Sequence, residues 1–153
     1  IRMLRKTAPD IFDESERFDL FKSKKIKEGK DISIFCSGIM VEETLKANKI
    51  LQSQGIDAEI INIHTIKPID KEAVINSVRK TRAVVTAENH NVIGGLRSAV
   101  AEVISENFPV PLRAVGIKDV FGQVGKLPFL KQAYSMQDTD IVKAVMECLE
   151  LKK

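Results

Sequence analysis

Four short apolar runs, each followed by apolar positions that recur at helical spacing, constrain this chain more than any other feature. ISIFC (Ile32–Cys36), AEIINI (58–63), RAVVTA (82–87) and LRAVGI (112–117) have the length and composition of buried strands. Between and after them, Val41, Leu45, Ile50 and Leu51 mark one face of a helix stopping at Gly55, and Ala73 to Val78 mark a second behind an Asp70 N-cap. Leu96, Ala99, Val100, Val103 and Ile104 mark a third helix. Ile141, Val142, Val145, Met146 and Leu149 mark a closing helix, capped by the polar run 137–140. Strands alternating with helices predict an α/β fold, a three-layer α/β/α sandwich around a mostly parallel sheet of about five strands with one antiparallel edge strand. Right-handed crossovers then place the strand exits, at Ser37, His64, Glu88 and Lys118, along one edge of the sheet, where ligands or partners meet such folds.

Residues 5–31 read differently. They are polar, with acidic Asp13, Glu14 and Glu16 followed by lysines at 22, 24, 25, 27 and 30. This predicts a linker and then an edge strand over 21–27, paired as a hairpin with Ile32–Cys36, its lysines protecting the open edge. A chain of 153 residues fits one core. Its net charge of +3 is too small and dispersed for a nucleic-acid surface. No apolar run approaches a membrane span, and no signal-peptide pattern opens the chain. Cys36 and Cys148 read as small buried hydrophobes without a disulfide, in a reducing, cytoplasmic setting. The opening Ile1-Arg2-Met3-Leu4, without an initiator methionine, is expected of a piece of a longer polypeptide.

The chemistry-bearing residues cluster in ENHNVIGGLRSAVAE, residues 88–102. Glu88, Asn89 and His90 at a strand exit form either a carboxylate tuning an imidazole for acid–base work or loop groups that cap backbone and touch a neighbouring domain. Gly94 and Gly95 pivot the chain into a helix whose first N–H groups favour a carboxylate or anion. His64 stands at a second exit and can approach His90, but two histidines without a third ligand make no zinc site. Ser37-Gly38 is read as an N-cap serine or a phosphate turn, and Ser98 lies too far inside its helix for a nucleophile elbow. FGQVGKLP is a glycine-rich loop that wraps a ligand or simply turns. Arg2, Arg5 and Lys6 offer positive charge to a phosphate, or face water.

Taken in order, IRMLRKTAP, KEGKDISIFCSGIMVEETLKA, INIHTIKPID, ENHNVIGGLRSAVAE and VFGQVGK resemble the C-terminal domain of transketolases, nearest to the C-terminal subunit of split transketolases. Deoxyxylulose phosphate synthase and the β-subunits of 2-oxo acid dehydrogenases are the competing members. The resemblance implies a parent enzyme moving a two-carbon ketol unit between sugar phosphates, in the pentose phosphate pathway, with thiamine diphosphate and Mg bound by other domains. It divides the chain into residues 1–30, the end of a pyrimidine-binding domain with linker and edge strand, and the C-terminal domain, 31–153. It implies no catalytic, cofactor-binding or metal residue here, and an isolated chain without turnover. Arg5 alone matches a family position, one that holds the substrate phosphate, although Leu4 replaces the serine expected before it. His64, Glu88, His90, Gly94 and Gly95 are then interface or ligand-loop residues. The implied partners are the N-terminal transketolase domains or subunit, with a homodimer in the intact enzyme. The rival readings are a stand-alone interaction module and a regulatory nucleotide or anion site at the sheet edge.

Overall fold

Ten elements follow one another in the computed structural model, which describes residues 9–152. They are β1 (Lys24–Lys27), β2 (Ile32–Cys36), α1 (Met40–Ser53), β3 (Ala58–Asn62), α2 (Lys71–Thr81), β4 (Val84–Asn91), α3 (Leu96–Asn107), β5 (Leu112–Ile117), α4 (Leu127–Ala133) and α5 (Asp138–Leu151). The strands form one sheet in the order β1-β3-β2-β4-β5, parallel except for β1. Alternate residues of each strand feed two cores. Ile34, Cys36, Ile60 and Val85 pack with α1 and α5 on one face, while Phe35, Ile61 and Val84 pack with α2 and α3 on the other. The expected three layers and the single antiparallel edge strand are both present.

The expected hairpin is not. β1 pairs with β3, register Lys24 to Asn62, and never with β2. Every residue of β2 is buried, so it needs an apolar neighbour on each side, and β3 and β4 supply them. A strand of three lysines and one isoleucine suits only the rim. There Lys27 Nζ donates to Asp57 Oδ1 at 2.7 Å and to the Ala58 carbonyl at 3.1 Å. The connection from β1 to β2 crosses the start of β3 at Gly29, where a Cβ would stand 2.2 Å from the Ala58 carbonyl carbon.

Two buried carboxylates tie the layers together. Glu59 on β3, wholly buried, meets Lys80 Nζ at 2.7 Å and Lys25 Nζ at 3.0 Å and accepts the Ser77 hydroxyl. Ser33, Ser77 and Thr81 complete a hydroxyl cluster between β2 and α2, with oxygens 2.5 and 2.6 Å apart. The same two lysines, Lys25 first, hold Glu28 at a pKa of about 2. On the other face Glu43 of α1 receives Lys131 of α4 at 2.7 Å and the Asp138 N–H that opens α5 at 3.2 Å. That ion pair fixes α4, a helix with no buried residue and no strong sequence signal.

The helix ends behave largely as expected. Asp70 caps α2 through the Ala73 N–H and also receives the Ser23 N–H at 2.9 Å. Gln137 and Asp140 form a reciprocal capping box on α5. In α1 the buried stripe runs through Val41, Thr44, Ala47, Asn48 and Leu51, leaving Leu45 and Ile50 on its flank. Small residues face inward there because α1 is wedged between the sheet and α5. Substituting Gly29→Ala is expected to cost about 2 kcal/mol or more in urea unfolding, since the obstacle is backbone. Gly122→Ala, whose Cβ meets nothing within 4 Å, is expected to stay within about 0.5 kcal/mol of wild type.

Candidate functional site

The chain leaves β2 toward β3 on one side and returns to β4 on the other, so the strand order reverses at the carboxyl ends of β2 and β4. In open α/β sheets such a reversal leaves a crevice. Here it is a cavity of about 990 Å³. Ser37, Ile39, Asn62, His64, Glu88 and His90 contribute to its walls, and Ile11, Phe12, Leu20 and Phe21 close it from the segment before β1.

Glu88, Asn89 and His90 lie inside β4, not in the loop expected after it. A register shift between Ala87 and Asn91 lets the strand resume against Ile117, extending it beyond the apolar run. Glu88 is 1% exposed. Its Oε2 accepts the Leu96 N–H at 2.6 Å and its Oε1 the Arg97 N–H at 2.8 Å, so both oxygens cap the first turn of α3. Burial raises the Glu88 pKa against the opposing pull of these two N–H groups, His90 and Arg97. The carboxylate is spent on the helix and orients no imidazole. Gly95 is required by contact, because a Cβ there would fall 2.0 Å from Glu88 Oε2, whereas Gly94 takes a turn at φ +78°. Ser98 accepts the Gly94 N–H at 2.8 Å and closes that turn.

The two histidines have separate duties. His64 Nε2 bonds the Asp19 carbonyl at 2.9 Å and its ring meets Phe18 edge-on, 5.4 Å between centroids. Thr65 donates to the Leu20 carbonyl at 2.5 Å. Together they bind residues 18–20 to the end of β3. His90 is exposed, with Nδ1 2.8 Å from the Asn91 carbonyl. Ser37 makes no side-chain cap, contrary to expectation. Helix α1 starts after Ile39, on a backbone turn in which Gly38 stands at φ +57° and the Met40 N–H reaches the Ser37 carbonyl. Arg5 lies outside the described residues. One residue that the sequence reading passed over is Asn62, a buried member of the cavity wall whose Oδ1 has no hydrogen-bond partner. The only sequence signal was a polar residue inside an otherwise apolar strand run.

Both cysteines are free and buried, and burial pushes the Cys36 thiol up to about 12. Among the described residues no helix is long and apolar enough to cross a membrane, and no group of three or more His, Cys, Asp or Glu can hold a metal ion.

Residues 22–141 match the family model described as "Transketolase, C-terminal domain". The chain belongs to the transketolase C-terminal domain family. It is 51% identical over 152 residues to the 6-deoxy-6-sulfo-D-fructose transketolase subunit of Clostridium sp. (strain MSTE9), covering 99% of this chain and 47% of that subunit. A solved structure of a split-gene transketolase, an inactive β4 tetramer, superimposes with a TM-score of 0.93 at 44% identity, over 97% of this chain and 49% of the other. The 1-deoxy-D-xylulose-5-phosphate synthase of Heliobacterium modesticaldum (strain ATCC 51547 / Ice1) is 31% identical over 127 residues, 82% of this chain and 20% of the synthase. The chain thus spans about half the length of the split-transketolase relatives and stands nearer to them than to the synthase. As a transketolase C-terminal domain it does not fit the family cofactor with its own described residues. Among the described residues the cavity wall carries no lysine or arginine for a diphosphate, and no group of three or more His, Cys, Asp or Glu gathers there to hold a metal.

The role given to Glu88 has a measurable sign. Because its folded pKa is raised, its protonated form adds stability below the ordinary carboxylate pKa, and that contribution is lost as pH rises through the folded value. The unfolding free energy of wild type minus that of Glu88→Gln is therefore expected to fall as pH rises from 4 to 8. Gly95→Ala is expected to lose about 2 kcal/mol or more at any pH, since it drives a Cβ into the cap.

Proposed function

We propose that this chain is the C-terminal domain of a split-transketolase subunit and that it serves assembly, not chemistry. The observation that carries this is a likeness to a split-gene transketolase of 0.93 in TM-score at 44% identity, over nearly the whole chain. The absence of lysine and arginine from the cavity wall among the described residues supports placing the cofactor's diphosphate elsewhere. Residues 1–30 are then the end of the preceding pyrimidine-binding domain with linker and edge strand, and 31–153 the domain proper. Its working partners are the N-terminal transketolase subunit and a second copy of its own subunit, in the cytoplasm.

The parent assembly moves a two-carbon ketol unit from a ketose to an aldose, using thiamine diphosphate and Mg held by the other domains. The relative named for 6-deoxy-6-sulfo-D-fructose widens the substrate class. A ketose ending in phosphate and one ending in sulfonate both present a tetrahedral anionic group with three terminal oxygens, which suits the guanidinium of Arg5. The route is then the pentose phosphate pathway or a sulfosugar counterpart.

Co-expression of the native-length subunit with its N-terminal partner is expected to give ketol transfer, followed by coupled assay on phosphorylated and sulfonated ketoses. Residues 1–153 alone are expected to show no turnover and no heat when titrated with thiamine diphosphate and Mg. Saturable binding by that piece would overturn the assignment of roles. In the assembled enzyme Arg5→Ala is expected to raise KM for the anionic substrate about tenfold to a hundredfold, the worth of a charge-assisted bond.

A further inference from the structure

Asn62 stands where the strand pattern calls for an apolar residue. It ends the run AEIIN of β3, is 6% exposed and shares the α1 face of the sheet with Ile60. Its Oδ1 has no hydrogen-bond partner among the described residues. A buried amide acceptor left unpaired costs folding stability, and no bond in the fold offsets that cost. The Asn62 side chain contributes to the wall of the crevice at the carboxyl edge, which gives it a use there.

The crevice has the form of a small-molecule site. Its volume of about 990 Å³ lies at the upper end of the roughly 300–1,000 Å³ usual for ligand pockets. Ile11, Phe12, Ile39 and Ile63 make its wall mainly apolar, and Ser37 and Asn89 add half-buried polar groups. The outer wall is anchored. Phe12 meets Phe18 edge-on with 4.9 Å between centroids, and Phe18 meets His64 in the same way at 5.4 Å.

The wall also selects the charge of what it can hold. Among the described residues no lysine or arginine lines it, whereas the carboxylates of Asp10 and Glu88 do. The helix starts that would otherwise attract an anion are already engaged. At α1 the Met40 and Val41 N–H groups donate to the Ser37 and Gly38 carbonyls, and at α3 the Leu96 and Arg97 N–H groups donate to Glu88. A phosphate or carboxylate would therefore be desolvated without a partner. The Asn62 oxygen requires an N–H or O–H donor, and an amide carries its donor and acceptor side by side in one plane. Its best complement is another planar edge of the same kind, N–H beside C=O, with an apolar body behind it to fill the walls.

We propose that the crevice binds an uncharged planar heterocycle, paired through a lactam edge with the Asn62 amide. The site stands apart from the transketolase reading and does not depend on it. Its ligand is bound and not turned over.

The test uses the native-length protein and uracil as probe, titrated by saturation-transfer NMR. Uracil is expected to bind saturably. Dimethyluracil, methylated at both ring nitrogens, keeps the ring and loses its N–H donors, and is expected to bind about tenfold or more weakly. Uridine monophosphate is expected to bind no more tightly than uridine. Asn62→Leu is expected to lose uracil affinity by a similar factor while its urea midpoint stays at or above that of wild type, because the unpaired amide is gone. Absence of saturable uracil binding overturns the proposal, as does equal affinity for dimethyluracil or an unchanged affinity in the variant. Tighter binding of the monophosphate than of uridine overturns it too. The comparison of uracil with dimethyluracil is made on wild type, so a folding defect in the variant cannot mask the result.

Discussion

The carboxyl edge of this sheet depends on one buried carboxylate. Glu88 reaches from β4 to the first turn of α3 and accepts two backbone N–H groups that the helix cannot pair internally. The close approach excludes any side chain at Gly95 and crowds Gly116 on β5, where a Cβ would meet Glu88 Cγ at 3.0 Å. Strand, turn and helix are thereby locked around one group, and the end of β4 at His90 and the turn that carries Ile93 and Gly94 inherit their positions from it. The same lock gives each Glu88 oxygen a structural partner, the Leu96 N–H on one and the Arg97 N–H on the other.

A second carboxylate does comparable work on the opposite face. Glu43 joins α1, α4 and α5 through Lys131 and the Asp138 N–H, and α4 has little else to hold it. The two anchors lie on different layers and present different surfaces. Glu88 shapes the crevice where β2 and β4 diverge, and Glu43 supports the platform behind the Phe121 loop. Both surfaces expose large apolar side chains, Ile66 and Ile93 near the crevice and Val120, Phe121 and Val124 on the loop.

Much of this was legible in the sequence because it is local. The four core strands, the Asp70 cap and the polar start of α5 are written in neighbouring residues, and all fell within a residue or two of their place except the end of β4, which runs four residues further, to Asn91. What failed was non-local. The pairing of β1 with β3 was hidden because a lysine-rich strand reads the same beside either neighbour, and only the complete burial of β2 decides between them. The extension of β4 through His90 depends on Ile117, and α4 depends on an ion pair between positions 43 and 131. The glycine pair was legible as a pivot, but the distinction between Gly94, which needs its backbone angle, and Gly95, which needs empty space, comes from Glu88 folding over it.

If the carboxyl edge serves assembly, its imidazoles are dispensable to the chemistry. The most direct measurement is kcat of the enzyme assembled with its N-terminal partner after His64→Ala and His90→Ala are introduced together, with the assembled fraction determined on the same sample. The account predicts wild-type kcat per assembled complex, with any loss confined to the yield of complex. A fall of a hundredfold or more in kcat at full assembly would contradict it and return these residues to the reaction.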